Sequence, residues 1–174
     1  MKIDEKYKCD DEYIRLCLAK EKDTKSISFN IPGEPQGKGR PRFSTRGGFV
    51  KTYTPEKTAS YENFVKVCYL NEFHDFKIAG EIDAKIIACF PIPKNFSKKK
   101  RQLALFGKIR PTKKPDCDNI AKIILDSLNG IAYEDDKQII DLKVAKFYGD
   151  DPHVNVTLSF RNMENAKNEN YSQK

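Results

Sequence analysis

The sequence predicts an α+β fold: one domain, built as a mixed β-sheet with helices packed on it. Three observations carry that reading. Apolar residues alternate with period two near both ends of the chain and in its middle. Patterns of helical period lie between those segments, and 174 residues without internal repeats suit a single core. In order, "SISFNI" at 26–31 alternates and reads as a strand. The next stretch, "PGEPQGKGRPRFSTRGG", is dense in proline and glycine and reads as a loop leading into a short strand at "FVKTYT". In "PEKTASYENFVKVCYLNEF", Thr54 is placed to cap a helix with Pro55 at its first position. Tyr61, Phe64, Val65, Cys68 and Tyr69 then recur at helical spacing. "EIDAKIIACFPIP" is a strand closed by Pro91 and Pro93. Ser97 and Gly107 bracket a short basic helix as its start and stop. Ile120, Ile123, Ile124 and Leu128 share one face of a helix predicted over 118–129, ended by Asn129 and Gly130. "KQIIDLKVAKFYGD" and "PHVNVTLSF" are two strands, predicted to form an antiparallel hairpin about "GDDP". These elements define a domain over 26–160, with a charged N-terminal extension at 1–25 and a frayed tail at 161–174.

Composition excludes several classes. No apolar run approaches the roughly 20 residues of a membrane helix. The start of the chain lacks the layout of an export signal, which predicts a protein of the reducing cytoplasm. Cys9, Cys17, Cys68, Cys89 and Cys117 are odd in number and show no CxxC spacing, which predicts buried free thiols rather than a zinc site. Nucleophilic triads, dinucleotide loops and P-loops are missing.

The net charge of +7 favours a polyanionic partner, and its distribution is more informative. Residues 94–114 carry nine Lys or Arg and no acid; residues 35–55 carry five and no acid. Residues 115–151 reverse the balance, with nine acids against four lysines. Acids set between basic segments suit a metal-dependent enzyme acting on phosphodiesters, because Lys and Arg hold the backbone while carboxylates hold the cation.

The acids concentrate in two places. In "KPDCDN", Pro115 favours an extended approach, so Asp116 and Asp118 point the same way, with the helix beginning at or after Asp118. Asp118 there can serve as an N-cap, and Lys122 lies one turn on, in reach of an ion pair. "YEDDKQ" puts Glu134, Asp135 and Asp136 in the turn that follows the same helix. Carboxylates converging without a cation repel one another, and Mg²⁺ suits a site of few carboxylates completed by water and phosphate. An EF-hand is excluded, since the sixth position from Asp116 is Ala121 rather than glycine.

The segment "KPDCDNIAKIILDSLNGIAYEDDKQI" resembles the central motif of the RusA-type endodeoxyribonucleases, the Holliday junction resolvases of bacteria and their phages. "GEPQGKGRPR", "KTYTP" and the helix after them are similar to the amino-terminal half of that family. The resemblance implies a bacterial, phage- or prophage-encoded homodimer that nicks opposing strands of a four-way junction with Mg²⁺, or with Mn²⁺ as a substitute. It carries the paired aspartates onto Asp116 and Asp118, the essential lysine onto Lys122 and the third aspartate onto Asp136, with Asp135 as its alternative. Lys38, Arg40, Arg42, Arg46, Lys98, Lys99, Lys100 and Arg101 are expected to hold phosphates rather than read bases. Two rival readings stay open: a branched-DNA-binding protein without activity, and a nuclease for flaps or other branched DNA.

Overall fold

A computed structural model describes residues 24–40, 42–44, 51–53 and 55–161. The extension at 1–23, the tail at 162–174, Arg46 and the capping role expected of Thr54 lie outside the described residues. Within them, the order is β1 (Thr24–Pro32), β2 (Arg42–Ser44), β3 (Lys51–Tyr53), α1 (Glu56–Phe73), β4 (Ile82–Pro91), α2 (Lys98–Leu105), α3 (Cys117–Leu128), a 3₁₀ turn (Asp136–Gln138), β5 (Ile139–Gly149) and β6 (His153–Arg161). The α+β class with a mixed sheet is as predicted. The strand β2 is an addition: it lies inside the stretch expected to be loop and pairs antiparallel with β3.

The main sheet runs β1-β6-β4-β5, with β1–β6 and β4–β6 antiparallel and β4–β5 parallel. The hairpin expected between β5 and β6 is therefore corrected. Residues 150–152 carry the chain across the end of β4, and β5 and β6 flank β4 from opposite sides. The reason lies in β4, which buries Ile82, Ala84, Ile86, Ala88 and Phe90 in strict alternation and so occupies the interior of the sheet with a partner on each edge.

That buried face meets two helices. Tyr61, Val65 and Tyr69 of α1 and Ile120, Ile123, Ile124 and Leu128 of α3 pack with Phe29, Ile31, Val154, Val156 and Leu158 of the strands. Burying such side chains contributes roughly 1.5–3 kcal/mol each, which is what fixes α3 against the sheet. Phe64 stays 40% exposed, because α1 presents only the Tyr61, Val65 and Tyr69 stripe to the core. The basic helix α2 begins as expected, with Ser97 Oγ accepting from Lys100 N at 3.3 Å, and Gly107 beyond it adopts φ +69°, a conformation that favours glycine.

Of the cysteines, Cys68, Cys89 and Cys117 are free. Cys68 and Cys89 are half-buried, and burial pushes both thiols up. Cys117, expected to be buried, is exposed, since the first residue of α3 points away from the stripe of isoleucines. No helix among the described residues is long and apolar enough to cross a membrane.

Candidate active site

The acidic segment reaches α3 through a cis Lys114–Pro115 peptide, and Asp116, extended at φ −77° and ψ 159°, is the residue before the first turn. The helix begins one residue earlier than expected, at Cys117, so Asp118 lies in its first turn and is not its cap. Asp116 occupies the cap position without capping by its side chain. Its carboxylate is therefore not consumed by the helix, while its carbonyl accepts from Ile120 N at 3.0 Å. Asp118 gains from the positive end of the helix dipole.

At the other end of α3, Tyr133 is buried and donates its hydroxyl to Leu125 O at 2.7 Å, which ties the following turn to the helix. Burial raises its pKa, and the nearby carboxylates of Asp136 and Asp126 push it the same way. The turn itself separates the two adjacent acids. Asp135 is its N-cap: the carboxylate accepts from Lys137 N at 3.0 Å, and Gln138 Oε1 accepts in return from Asp135 N at 3.2 Å. The backbone bond from Lys137, followed by that residue's ammonium, holds the Asp135 carboxyl below the usual carboxylate range. Gln138 also donates through Nε2 to Gly80 O at 2.9 Å, fastening the turn to the segment before β4.

Asp118, Lys122, Asp126, Asp136 and Asp141 line one cleft of about 430 Å³, closed by Ala121, Leu125, Ile139, Ile140 and Leu142. Asp135 lines a neighbouring cleft with Lys77, Glu81, Glu134 and Lys137 instead. A bulge helps to shape the first cleft: β5 pairs Ile139 with Ile82 and Asp141 with Asp83, leaving Ile140 as the extra residue, 58% exposed. The structure thus brings Asp118, Asp136 and Lys122 together. Asp116, exposed two residues before Asp118, is not among the lining residues. The ion pair expected between Asp118 and Lys122 does not form among the described residues, and no three His, Cys, Asp or Glu side chains there gather closely enough to hold an ion by themselves. The donors facing the cleft are nonetheless all carboxylate oxygens, without thiol or imidazole, which is the chemistry a hard divalent cation accepts when phosphate and water complete its shell.

Asp126 and Asp141 were not singled out by sequence. Asp126 was legible in principle, being eight residues from Asp118 on the same helical face. Asp141 depends on the bulge, which leaves no trace in the sequence.

The expected phosphate contacts divide. Arg40, Lys98, Lys99 and Lys100 are exposed, and Lys100 Nζ lies 4.1 Å from the centre of the Phe96 ring. Arg101 is exposed but pairs with Asp150. The backbone of Arg42 belongs to β2, and its side chain is outside what is described. Lys38 differs from expectation, because its ammonium is engaged inside the protein, 2.5 Å from Glu62 Oε1 of α1 and 2.8 Å from Asp126 Oδ2 of α3. Lys38 N also donates to Asn119 O at 2.9 Å. Next to it, a β-carbon on Gly37 would stand 2.6 Å from Pro115 Cβ, so only glycine lets this loop lie against the segment that carries Asp116.

A mixed sheet with a cleft, lined by carboxylates and a lysine, at the start of β5, and an exposed basic helix packed at the end of the same strand, suits contact with a phosphate-bearing polymer. Residues 32–159 match the family model described as endodeoxyribonuclease RusA, and the chain belongs to that family, which makes it a DNA-cutting hydrolase by class. It is also 40% identical over 134 residues to "Uncharacterized protein YqaN" of Bacillus subtilis (strain 168), covering 76% of this chain and 94% of the relative.

Proposed function

We propose that the protein is a Mg²⁺-dependent, structure-selective endodeoxyribonuclease that resolves four-way junctions by paired symmetric nicks, acting as a homodimer. The observation that supports it most is the meeting of Asp118 and Asp136, from two separate elements, in one cleft with Lys122. Asp118 and Asp136 would hold the cation, with Asp116 joining them from the adjoining extended residue. Asp136 is preferred over Asp135 as the third ligand, because the Asp135 carboxylate is engaged in capping its own turn. When bound, the cation would supply Lewis acidity at the scissile phosphate and polarise a water beside it, with Mn²⁺ able to replace Mg²⁺.

The chain's own residues do the rest. Lys122 offers its ammonium to the phosphate oxygens as negative charge accumulates on them. Arg40 and Lys98 to Lys100 hold flanking phosphates without reading sequence. A junction has near two-fold symmetry, so two equivalent clefts related by a dyad suit paired nicking.

Synthetic four-way junctions, flaps and linear duplexes incubated with Mg²⁺, Mn²⁺ or EDTA test the reading. Paired nicks in the junction with either metal and none in EDTA are expected, and Asp118→Asn should slow nicking by more than roughly 100-fold, beyond the usual loss from an outer-shell change. Binding without metal-dependent nicking would favour the non-catalytic rival, and faster cutting of flaps would favour the branched-DNA nuclease.

A further inference from the structure

Lys146 is the one charged side chain buried among the described residues, at 8% exposure. It stands on β5 opposite Ala88, the least accommodating kind of place for an ammonium. No carboxylate pairs with it among the described residues. Its partners are main-chain oxygens: Nζ donates to Lys113 O at 2.5 Å and to Pro115 O at 2.9 Å, and the Phe90 ring centre lies 5.5 Å away. From the other side, Arg110 Nε donates to Lys146 O at 2.8 Å, with its guanidinium 4.2 Å from the Phe147 ring centre.

Both accepting carbonyls belong to the three residues that precede Asp116. The Pro115 carbonyl carbon is bonded directly to Asp116 N, and the Asp116 carbonyl is already held by Ile120 N. Asp116 is therefore anchored on both sides, by a charge-assisted bond from the sheet before it and by α3 after it. With the carbonyls of Lys113 and Pro115 turned inward, the side chains of Lys113, Lys114 and Asp116 are left exposed. A methionine could fill much of the same volume, but it would take the ammonium donor away from both part-buried carbonyls.

We infer that Lys146 is a positioning residue, which fixes the main chain at Pro115 and thereby sets the Asp116 carboxylate beside Asp118 for cation binding. The inference rests on the role proposed above for Asp116. It assigns Lys146 no contact with DNA or with the reacting atoms.

The test compares wild type with Lys146→Met and Lys146→Arg, each shown to be folded by circular dichroism. Hydrogen exchange, read without metal or DNA, should rise in Lys146→Met over residues 112–118 and stay unchanged in β4 and β6. Single-turnover nicking of a four-way junction should fall roughly 10–100-fold, the usual consequence of removing a group that orients a ligand, with more Mg²⁺ needed for half-maximal rate. Junction affinity in EDTA should stay within about twofold, since no phosphate contact is removed. Lys146→Arg, which still donates in a fork, should recover part of the rate. Unchanged exchange over 112–118 in folded Lys146→Met would overturn the inference, as would wild-type nicking, or a loss of affinity in EDTA equal to the loss of rate. A wild-type protein that never nicks would sink the proposed function, and the exchange comparison would still decide whether Lys146 holds the loop.

Discussion

Asp135 and Asp136 are chain neighbours serving different surfaces, which makes them a sharp test at the scale of single residues. Asp136→Asn should abolish nicking while leaving the melting temperature near wild type, because Asp136 lines the cleft and caps nothing. Asp135→Asn should retain most nicking and lower the melting temperature. The sign with pH follows from the depressed Asp135 carboxyl: its contribution is present above the unfolded-state value and is lost as pH falls through the folded one. The stability difference between Asp135→Asn and wild type should therefore shrink on acidification, as thermal melts would register. Equal loss of nicking in both variants would place the two carboxylates in a single site. Sequence left these two acids as alternatives, since spacing cannot say which of two adjacent side chains a capping turn will consume. It read Lys38 as a phosphate contact for a similar reason. A lysine in a glycine-rich basic stretch looks free until the acids of two other elements are seen around it.

Between elements, Lys38 is what joins the glycine loop, α1 and α3. Burial alone would lower its pKa, but hydrogen bonds and charge from Asp126 and then Glu62 outweigh it and leave a net rise. Its contribution is accordingly complete below the unfolded value of 10.5 and lost as pH climbs through the folded one. At neutral pH, Lys38→Met should cost about 1.5–3 kcal/mol by chemical denaturation, the range for hydrogen bonds to charged groups. It should also release Asp126 towards the cleft, so the Mg²⁺ dependence of nicking should change along with stability. A variant as stable as wild type would mean that the ion pairs are solvated ornaments of the surface. The helices were the most legible elements. The four apolar residues of α3 are spaced for one face, and all four are buried. Its start was displaced by a residue, because Asp116 takes the cap position through its backbone alone. The short strand β2 was hidden because three residues among prolines and glycines carry no periodicity. The neighbours of β5 were misjudged because a tight polar connection looks the same whether or not another strand lies between its ends.

For the molecule as a whole, the tyrosines report on the integrity of the core. Tyr61 and Tyr69 are both pushed up to about 12 by burial, against an ordinary value of 10.0. The folded state keeps their hydroxyls protonated, so the stability linked to them is present below 10.0 and is lost as pH rises from there through about 12. Tyrosinate absorbance should thus lag behind that of a denatured control and appear together with cooperative alkaline unfolding. Tyrosinate forming at the control's pH with the fold intact would show these rings to be solvated. The fold class was readable at this scale because layers follow from the sum of local patterns. Strand order was not, because it is decided by which strand most needs cover on both sides.

That order has a consequence for the protein's synthesis. The last described strand, β6, is not an edge but lies between β1 and β4, paired with both along most of its length. Until residue 161 has left the ribosome, β1 lacks its partner in the sheet and the backbone of β4 is unpaired along one edge. A nascent or prematurely terminated chain would carry every acidic residue of the cleft yet lack the platform that aligns them. Alignment of the cleft would then await the last described strand, and shorter fragments would hold its acids without arranging them.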